Sequence, residues 1–268
     1  MQGLFYLIRA SFFVIFILGS LGSCKNEFEE FTAIDTSYYP LITGTYIDYE
    51  LDSILYDINH QGDTFRHYIR EEIESVGFDN SGDAYHRIKR YERPDTLSNW
   101  SLKNVWVVQC VNNQIHRVER NLRSINLSFP VEMDKTWDGL VFLRRDTLIP
   151  YTYTNVNGEV TPKESINQFK DWEEFRYILV DVPQSFNGLN FTETATILQV
   201  DKTDYIERRY SAEVYAKNVG LVYKEMQILD TQCSQYLNGI LDCIDTPWIE
   251  KAERGYILKQ TVIAYGSN

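Results

Sequence analysis

Histidine, methionine and cysteine are scarce in this chain of 268 residues, which has four, three and four of them. No ligand spacing is found among the histidines, which are His60, His67, His86 and His116. Paired Cys-x-x-Cys motifs, nucleophile elbows, phosphate-binding loops and dinucleotide fingerprints are also absent. The sequence therefore predicts no metal site and no cofactor, it supplies no catalytic residue, and we expect the protein not to be an enzyme.

Positive charge is also in deficit, because 26 Lys and Arg face 38 Asp and Glu, for a formal net charge of −12. That field repels phosphate backbones, so nucleic acid is not expected as a partner. Disorder is not expected either, since 44% of the residues are apolar and 14% are aromatic. No repeat or linker divides the chain, so we predict a single domain over residues 38–268.

A short apolar run opens the chain, from Ala10 to Leu18. A membrane-spanning helix needs roughly 20 apolar residues, about twice as many. Small residues follow the run and Arg9 precedes it, which is the arrangement of a secretory signal. The stretch Leu21-Gly22-Ser23-Cys24 resembles the lipobox of bacterial lipoproteins. This resemblance implies that residues 1–23 are a lipoprotein signal peptide and that Cys24 is diacylated.

Two or three acyl chains on Cys24 would hold the protein firmly to a membrane, which is the one partner that the sequence identifies. Residues 24–37 are predicted to be an acidic tether. The stretch 25–30 resembles the Lys-plus-acidic tag by which Bacteroidota lipoproteins are exported to the cell surface, although Asn26 and Phe28 interrupt its acidic run. A simple solvated tether is the alternative. We expect lipid anchoring at the outer membrane, with surface exposure favoured over a periplasmic location.

The rest of the chain has the pattern of β-strands. Alternating, β-branched and aromatic runs recur between clusters of turn residues, without alternating helices. We therefore predict an all-β fold, mainly antiparallel, built as a curved sheet, a barrel-like sheet or a sandwich. The predicted strands are 45–56, 65–76, 84–91, 105–111, 115–119, 141–145, 176–182, 194–200, 205–215, 221–229 and 256–264.

Two local features are more specific. Thr161-Pro162-Lys163-Glu164 has the pattern of a helix N-terminus, so one short helix is predicted near 162–174. Asn112-Asn113 predicts a two-residue hairpin that sets Cys110 opposite Ile115.

With Cys24 acylated, three cysteines remain: Cys110, Cys233 and Cys243. A three-residue hairpin loop, Leu237-Asn238-Gly239, would place Cys233 opposite Cys243, whereas a two-residue Asn-Gly turn would leave their sulfur atoms on opposite faces. We predict the Cys233–Cys243 disulfide, with Cys110 free and buried.

The five tryptophans are expected to fill the core or its edge, although exposed tryptophans could stack on sugar rings. Several stretches together resemble uncharacterised lipoproteins of Bacteroidota. They are Tyr38-Tyr39-Pro40-Leu41 with Gly44 and Tyr46, Met133 to Asp138, Glu213 to Glu225, and Gly255-Tyr256. The resemblance implies an antiparallel β fold and a lipid-anchored exterior location, and it brings no activity, ligand or catalytic residue.

These observations predict a lipid-anchored cell-envelope protein that is a non-enzymatic binding or structural module. Its ligand is not identified by the sequence. A carrier of an apolar ligand inside a curved β-sheet and a surface glycan-binding protein are the alternatives.

Overall fold

A computed structural model describes residues 35–57, 60–151, 164–235 and 240–268. The predicted signal peptide, Cys24 and most of the predicted tether lie outside these residues. The described residues belong to one compact unit, Ile34–Asn268. Among them, no helix has both the length and the apolar character needed to cross a membrane.

Strands make up most of the described chain. They are β1 (Thr45–Asp57), β2 (His60–Phe78), β3 (Ala84–Arg93), β4 (Ser101–Val111), β5 (Gln114–Glu119), β6 (Leu122–Ser128), β7 (Thr136–Trp137), β8 (Leu148–Tyr151), β9 (Glu164–Asn167), β10 (Phe175–Phe186), β11 (Leu189–Thr203), β12 (Glu207–Ala216), β13 (Gly220–Asp230) and β14 (Arg254–Ser267). Two short helices, α1 (Ile240–Asp245) and α2 (Trp248–Lys251), follow the 3-10 turn Cys233–Gln235.

Twelve of the strands form one antiparallel sheet in the order β6-β5-β4-β3-β2-β1-β14-β13-β12-β11-β10-β7, and β8 pairs with β9 in a separate hairpin. The last strand, β14, lies between β1 and β13 and so joins the two halves of the sheet. The prediction of a mainly antiparallel all-β fold is confirmed.

The two ends of the sheet approach each other, which makes it a nearly closed, barrel-like structure. The backbone N–H of Ile125 in β6 donates to the carbonyl of Gly139, just after β7, at 2.9 Å. The indole N–H of Trp137 donates to the carbonyl of Ile125, also at 2.9 Å. Unpaired strand edges are thereby covered, which protects them from pairing with other chains.

The Asn112-Asn113 hairpin is confirmed, because both residues have positive φ (49° and 63°) and Cys110 pairs with Ile115. Positive φ at both central residues is the geometry of the tight hairpin turn that suits twisted strands. The prediction that Cys110 is buried is wrong: its thiol is free, but the residue is exposed. The face of β4 that is buried at Trp106 and Val108 emerges into solvent at Cys110, next to the turn.

The helix predicted near 162–174 is wrong over its described part. Residues Glu164–Asn167 pair with Leu148–Tyr151 as a strand. A turn follows, and Asp171 has a φ of 63°, which an α-helix does not allow. Thr161-Pro162-Lys163, which carried the capping pattern, lies outside the described residues.

The strand predicted over 141–145 is also wrong, since these residues form turns. Val141 and Phe142 are 57% and 51% exposed. Their apolar side chains give the sequence a strand-like pattern, but these residues pair with no neighbouring strand in the described structure.

Cys233 and Cys243 are joined by a disulfide, with Cα atoms 5.5 Å apart. The pairing is the predicted one, but its setting is not a hairpin. Cys233 begins the 3-10 turn and Cys243 lies in α1, and residues 236–239 between them lie outside the described chain. The ammonium of Lys251 in α2 donates to the carbonyl of Cys243 at 2.7 Å, which ties the second short helix to the same point.

Replacing both Cys233 and Cys243 by Ser should lower the free energy of unfolding. The crosslink closes a loop with a sequence separation of 10, for which the chain-entropy model gives roughly 2–3 kcal/mol. Urea unfolding followed by circular dichroism would measure the loss. Cys110→Ser is the matched control and should leave the midpoint unchanged; an equal loss in the control would show that thiol removal in general, not the crosslink, is responsible.

Candidate binding cavity

The inner face of the sheet lines a partly open cavity of about 260 Å³. Inward-facing residues of β2 to β6 and β11 to β14 form much of its wall, and the connection from β7 to β10 supplies the rest. The β8–β9 hairpin in that connection is fixed to the sheet through the Tyr151 hydroxyl, which accepts from the Gly255 N–H at 2.8 Å and donates to the Tyr56 carbonyl at 3.0 Å. At roughly 30 Å³ per molecule, the space equals about nine waters, which is enough for a small organic ligand.

A buried guanidinium organises one side of the cavity. Arg117 donates from Nη2 to Glu71 at 2.9 Å and from Nη1 to the hydroxyl of Tyr39 at 3.2 Å, and its Nε lies against Glu119. Arg90 donates to the other oxygen of Glu71 at 2.9 Å. The carboxylate of Glu71 therefore bridges two guanidinium groups.

A second ion pair crosses from β12 to β13, where Glu213 and Lys224 are direct partners in the strand register. The Lys224 ammonium donates to Glu213 Oε1 at 2.8 Å. The Tyr215 hydroxyl donates to Glu213 Oε2 at 2.7 Å, and Asn126 Nδ2 lies 3.4 Å from the same oxygen. Glu213 is only 1% exposed, so these contacts replace the water that its carboxylate gives up.

These groups hold their charges at neutral pH. Burial would raise the pKa of Glu213, but the Lys224 ammonium, the Tyr215 hydroxyl and the Arg117 guanidinium together hold that pKa below its ordinary value. Burial likewise opposes the charged form of Glu119, whose pKa is lowered by Arg117, Lys224 and Arg90. The pKa of Lys224 is raised, because Glu213 and Glu119 overcome the effect of burial. The cavity wall is therefore ionic, not neutral.

Among the described residues, four cationic and three anionic side chains line the cavity. The cations are Arg90, Arg117, Arg120 and Lys224, and the anions are Glu71, Glu119 and Glu213. A further anion, Glu92, lies outside the lining and pairs with Arg90 at 3.5 Å. Arg120 is the cation without an ion pair or hydrogen bond to any described residue. It is exposed in the β5–β6 turn, where its φ is 50°, and this places it at the rim.

Three N–H donors of the cavity wall have no acceptor among the described residues: Gln260 Nε2, Trp106 Nε1 and Trp172 Nε1. All three side chains are more than nine-tenths buried. Leaving a buried donor unpaired costs about 1–3 kcal/mol. Each of these three nitrogen atoms is itself shielded from solvent, so none of them presents its donor to the open space of the cavity.

Apolar and aromatic side chains form the remaining wall. Trp172 packs edge-on to Phe169, with ring centroids 5.3 Å apart, and lies 5.9 Å from Phe175. On the ionic side, Trp106 lies between the guanidinium groups of Arg90 and Arg117, each 4.7 Å from its ring. The other apolar side chains are Leu122, Leu140, Leu143, Ile149, Leu221, Met226 and Leu258.

Of the site residues predicted from the sequence, Cys233 and Cys243 do not line this cavity, and Cys24 lies outside the described residues. The expectation that tryptophans fill the core is confirmed for Trp106, Trp137 and Trp172, while Trp100 and Trp248 are half-buried. Sequence reasoning missed the ionic wall. The signal for it was a charged residue inside an apolar run, such as Glu213 between Ala212 and Val214.

Within residues 35–57, 60–151, 164–235 and 240–268, no group of three or more His, Cys, Asp or Glu is placed to hold a metal ion. Ser124 is the one serine among the described residues that line the cavity. Its hydroxyl donates to Asn126 Oδ1 at 2.9 Å. No histidine lines the cavity among the described residues. The arrangement is suited to binding through hydrogen bonds, charge and apolar contact.

Comparison with known proteins gives little. No family model matches the chain, and no curated protein matches it. A candidate lipoprotein from Parabacteroides distasonis aligns over 86% of this chain and 99% of its own, with 13% identity and a TM-score of 0.39. A candidate exported protein with a YmcC-like fold from Bacteroides fragilis aligns over 85% of this chain and 98% of its own, with 10% identity and a TM-score of 0.34. Similarity at this level supports no argument about function.

Replacing Glu213 by Ala should destabilise the protein by roughly 3–5 kcal/mol, because it leaves the Lys224 ammonium without its buried partner. Urea unfolding at neutral pH would measure the change. Glu193→Ala is the matched control, since Glu193 makes an exposed pair with Lys217 and should change stability little.

The pH dependence gives a second measurement. Because the pKa of Glu213 is lowered in the folded state, its contribution is complete above the ordinary glutamate pKa of about 4.3 and is lost as the pH falls through the folded-state value. The difference between wild type and Glu213→Ala should therefore shrink on acidification below that pH. A difference that is independent of pH would contradict the ionic role of Glu213.

Proposed function

We propose that this protein is a lipid-anchored module of the cell envelope that binds a small ligand in its interior cavity without altering it chemically. The carrying observation is the cavity itself, whose lining combines an ionic wall with aromatic and aliphatic side chains. An interior designed only for stability would be filled, since close packing is the rule in protein cores. The anchor is supported by the lipobox at Leu21 to Cys24, and the tether by the acidic stretch that follows.

The proposal also states that the protein does not catalyse a reaction in this cavity. The cavity carboxylates Glu71, Glu119 and Glu213 are each held by a guanidinium or an ammonium. A general acid or base must be able to exchange its proton near the working pH, and carboxylates whose charged form is held by a partner do not meet that need. The binding role is therefore favoured over catalysis.

Outer-membrane anchoring with surface display is the proposed location. An acidic tether keeps an acidic domain away from anionic head groups on either face of the membrane, and only the resemblance of residues 25–30 to an export tag favours the outer face. Protease added to intact cells would decide between the faces. Loss of the domain supports display, whereas protection beside a digested surface control places the domain in the periplasm.

Cys24→Ala should move the protein from the membrane fraction to the soluble fraction, because the acyl chains on Cys24 provide its membrane affinity. Mass spectrometry of the wild-type N-terminal peptide should find an acylated Cys24. Cys110→Ala is the matched control and should leave the protein in the membrane fraction. An unmodified mature terminus at another residue would contradict the anchor.

Binding in the cavity can be measured with an uncharged fluorescent probe, N-phenyl-1-naphthylamine, added to the full chain carrying Cys24→Ala so that no detergent is needed. We expect saturable enhancement of its fluorescence, since the apolar wall shields the dye from water. Ser124→Phe, which places a ring in the cavity, should abolish the enhancement.

Ser101→Phe is the matched control, because the same change is made on an exposed residue outside the cavity. It should bind the probe like the parent chain. Circular dichroism confirms that both variants are folded. Absence of binding by the parent, or binding that survives Ser124→Phe, would contradict the proposal.

A further inference from the structure

We infer that the ligand of this cavity is a monoanionic amphiphile, a molecule with a single carboxylate-like group on an apolar body, and that Arg120 is the residue that selects its charge. The inference rests on the proposed function, because it specifies the class of ligand for the same cavity. It goes further by choosing among apolar, cationic, neutral polar and anionic ligands.

The first step is the balance of charge. Three of the four cations of the wall have ion-pair partners: Arg90 pairs with Glu71 and Glu92, Arg117 with Glu71 and Glu119, and Lys224 with Glu213. Arg120 is the one whose charge no described residue balances. A guanidinium at the rim, with its five donors open, is suited to a carboxylate, which it can bind through two parallel hydrogen bonds.

The second step is the choice of head group. Arg120 is exposed and lines the cavity, so an ammonium head group would meet a like charge there. A wholly apolar ligand would gain nothing from the guanidinium. A carboxylate carries the opposite charge, and its oxygen atoms can accept hydrogen bonds from the guanidinium.

The third step is the apolar wall. Trp172, Phe169 and Phe175 form one aromatic cluster, and Leu140, Leu143 and Ile149 come from the same β7–β10 connection. Burying an apolar body against these side chains gains about 25 cal/mol per Å² removed from water. A small sugar or an inorganic anion would not cover this wall. The combination of a single uncompensated cation with an apolar wall is suited to an amphiphile.

The test compares ligands that share one chain and differ in head group. Octanoate, octan-1-ol and octylammonium are titrated against bound N-phenyl-1-naphthylamine on the full chain carrying Cys24→Ala. We expect octanoate to displace the probe at about tenfold lower concentration than octan-1-ol, since a hydrogen-bonded ion pair at a partly exposed site is worth about one power of ten in affinity. Octylammonium should be the weakest competitor.

Arg120→Gln should reduce the advantage of octanoate over octan-1-ol to within about twofold, while the affinity for octan-1-ol stays unchanged. Arg66→Gln is the matched control, because it makes the same change in net charge on an exposed residue outside the cavity and should preserve the full preference. Arg120→Lys provides a second variant that keeps the net charge: it should retain part of the preference for octanoate, because an ammonium attracts a carboxylate as a point charge but cannot form two parallel hydrogen bonds with it.

The outcomes separate the two levels of the proposal. Equal displacement by octanoate and octan-1-ol, a preference for octylammonium, or a preference for octanoate that survives Arg120→Gln would overturn the inference and leave cavity binding in place. Failure of all three compounds and of the probe to bind would overturn the proposed function, and the inference with it.

Discussion

Arg117 is a cation inside the sheet, with 6% of its side chain exposed. A guanidinium in that position has to be surrounded by acceptors, because the cost of removing a charge from water is several kcal/mol. Two of the acceptors come from distant parts of the chain, Glu71 on β2 and Tyr39 ahead of β1, while Glu119 lies two residues along β5 from Arg117. Satisfying this one group therefore fixes where β2 and the segment ahead of β1 lie relative to β5.

The closure of the sheet depends on a few specific side chains. Trp137 joins β7 to β6 through its indole N–H. In the middle of the sheet, Gly255 is the second residue of β14 and has a φ of 101°. A Cβ there would lie 1.8 Å from the carbonyl oxygen of Ile228, so only glycine allows β13 and β14 to approach. Tyr39, Trp137, Gly255 and the Glu213–Lys224 pair all lie within the stretches that resemble Bacteroidota lipoproteins. These stretches therefore include residues that close the sheet and form its ionic wall.

The strands were largely predictable, because alternation and turn residues are local signals. Asn112-Asn113 shows how far such signals reach, since two residues determined both the turn and the register of β4 on β5. Pairings between distant segments, such as β1 with β14 and β7 with β10, leave no comparable trace. The false helix near 162–174 has the same origin: its spacing of apolar residues was real, but Ile166 is buried by the pairing of β9 with β8 and by the sheet.

The cavity could not be predicted for a different reason. A charged residue in a strand ordinarily marks the face in contact with water, and Glu213 would be assigned to the surface on that rule. In β12 both faces are covered: Tyr215 belongs to the main apolar cluster, whereas Val214 and Ala216 belong to a second one. Burial on both sides places Glu213 in the interior, opposite Lys224. Whether Glu213 lies in the interior or at the surface is decided by the curvature of the sheet, and curvature is a property of the whole fold.

The positive charge of Arg120, which has no ion-pair partner among the described residues, stands against the net charge of −12 of the chain. Surface acids repel an approaching anion, but at physiological ionic strength their field decays over about 8 Å. Inside the cavity the local dielectric is lower and screening is weaker, so the nearest charges dominate. Arg120 at the rim lies where the screened exterior meets the unscreened interior, and from there its charge can act on a ligand's head group while the apolar body meets Trp172 and its neighbours. The acidic surface is therefore compatible with an interior that selects an anion.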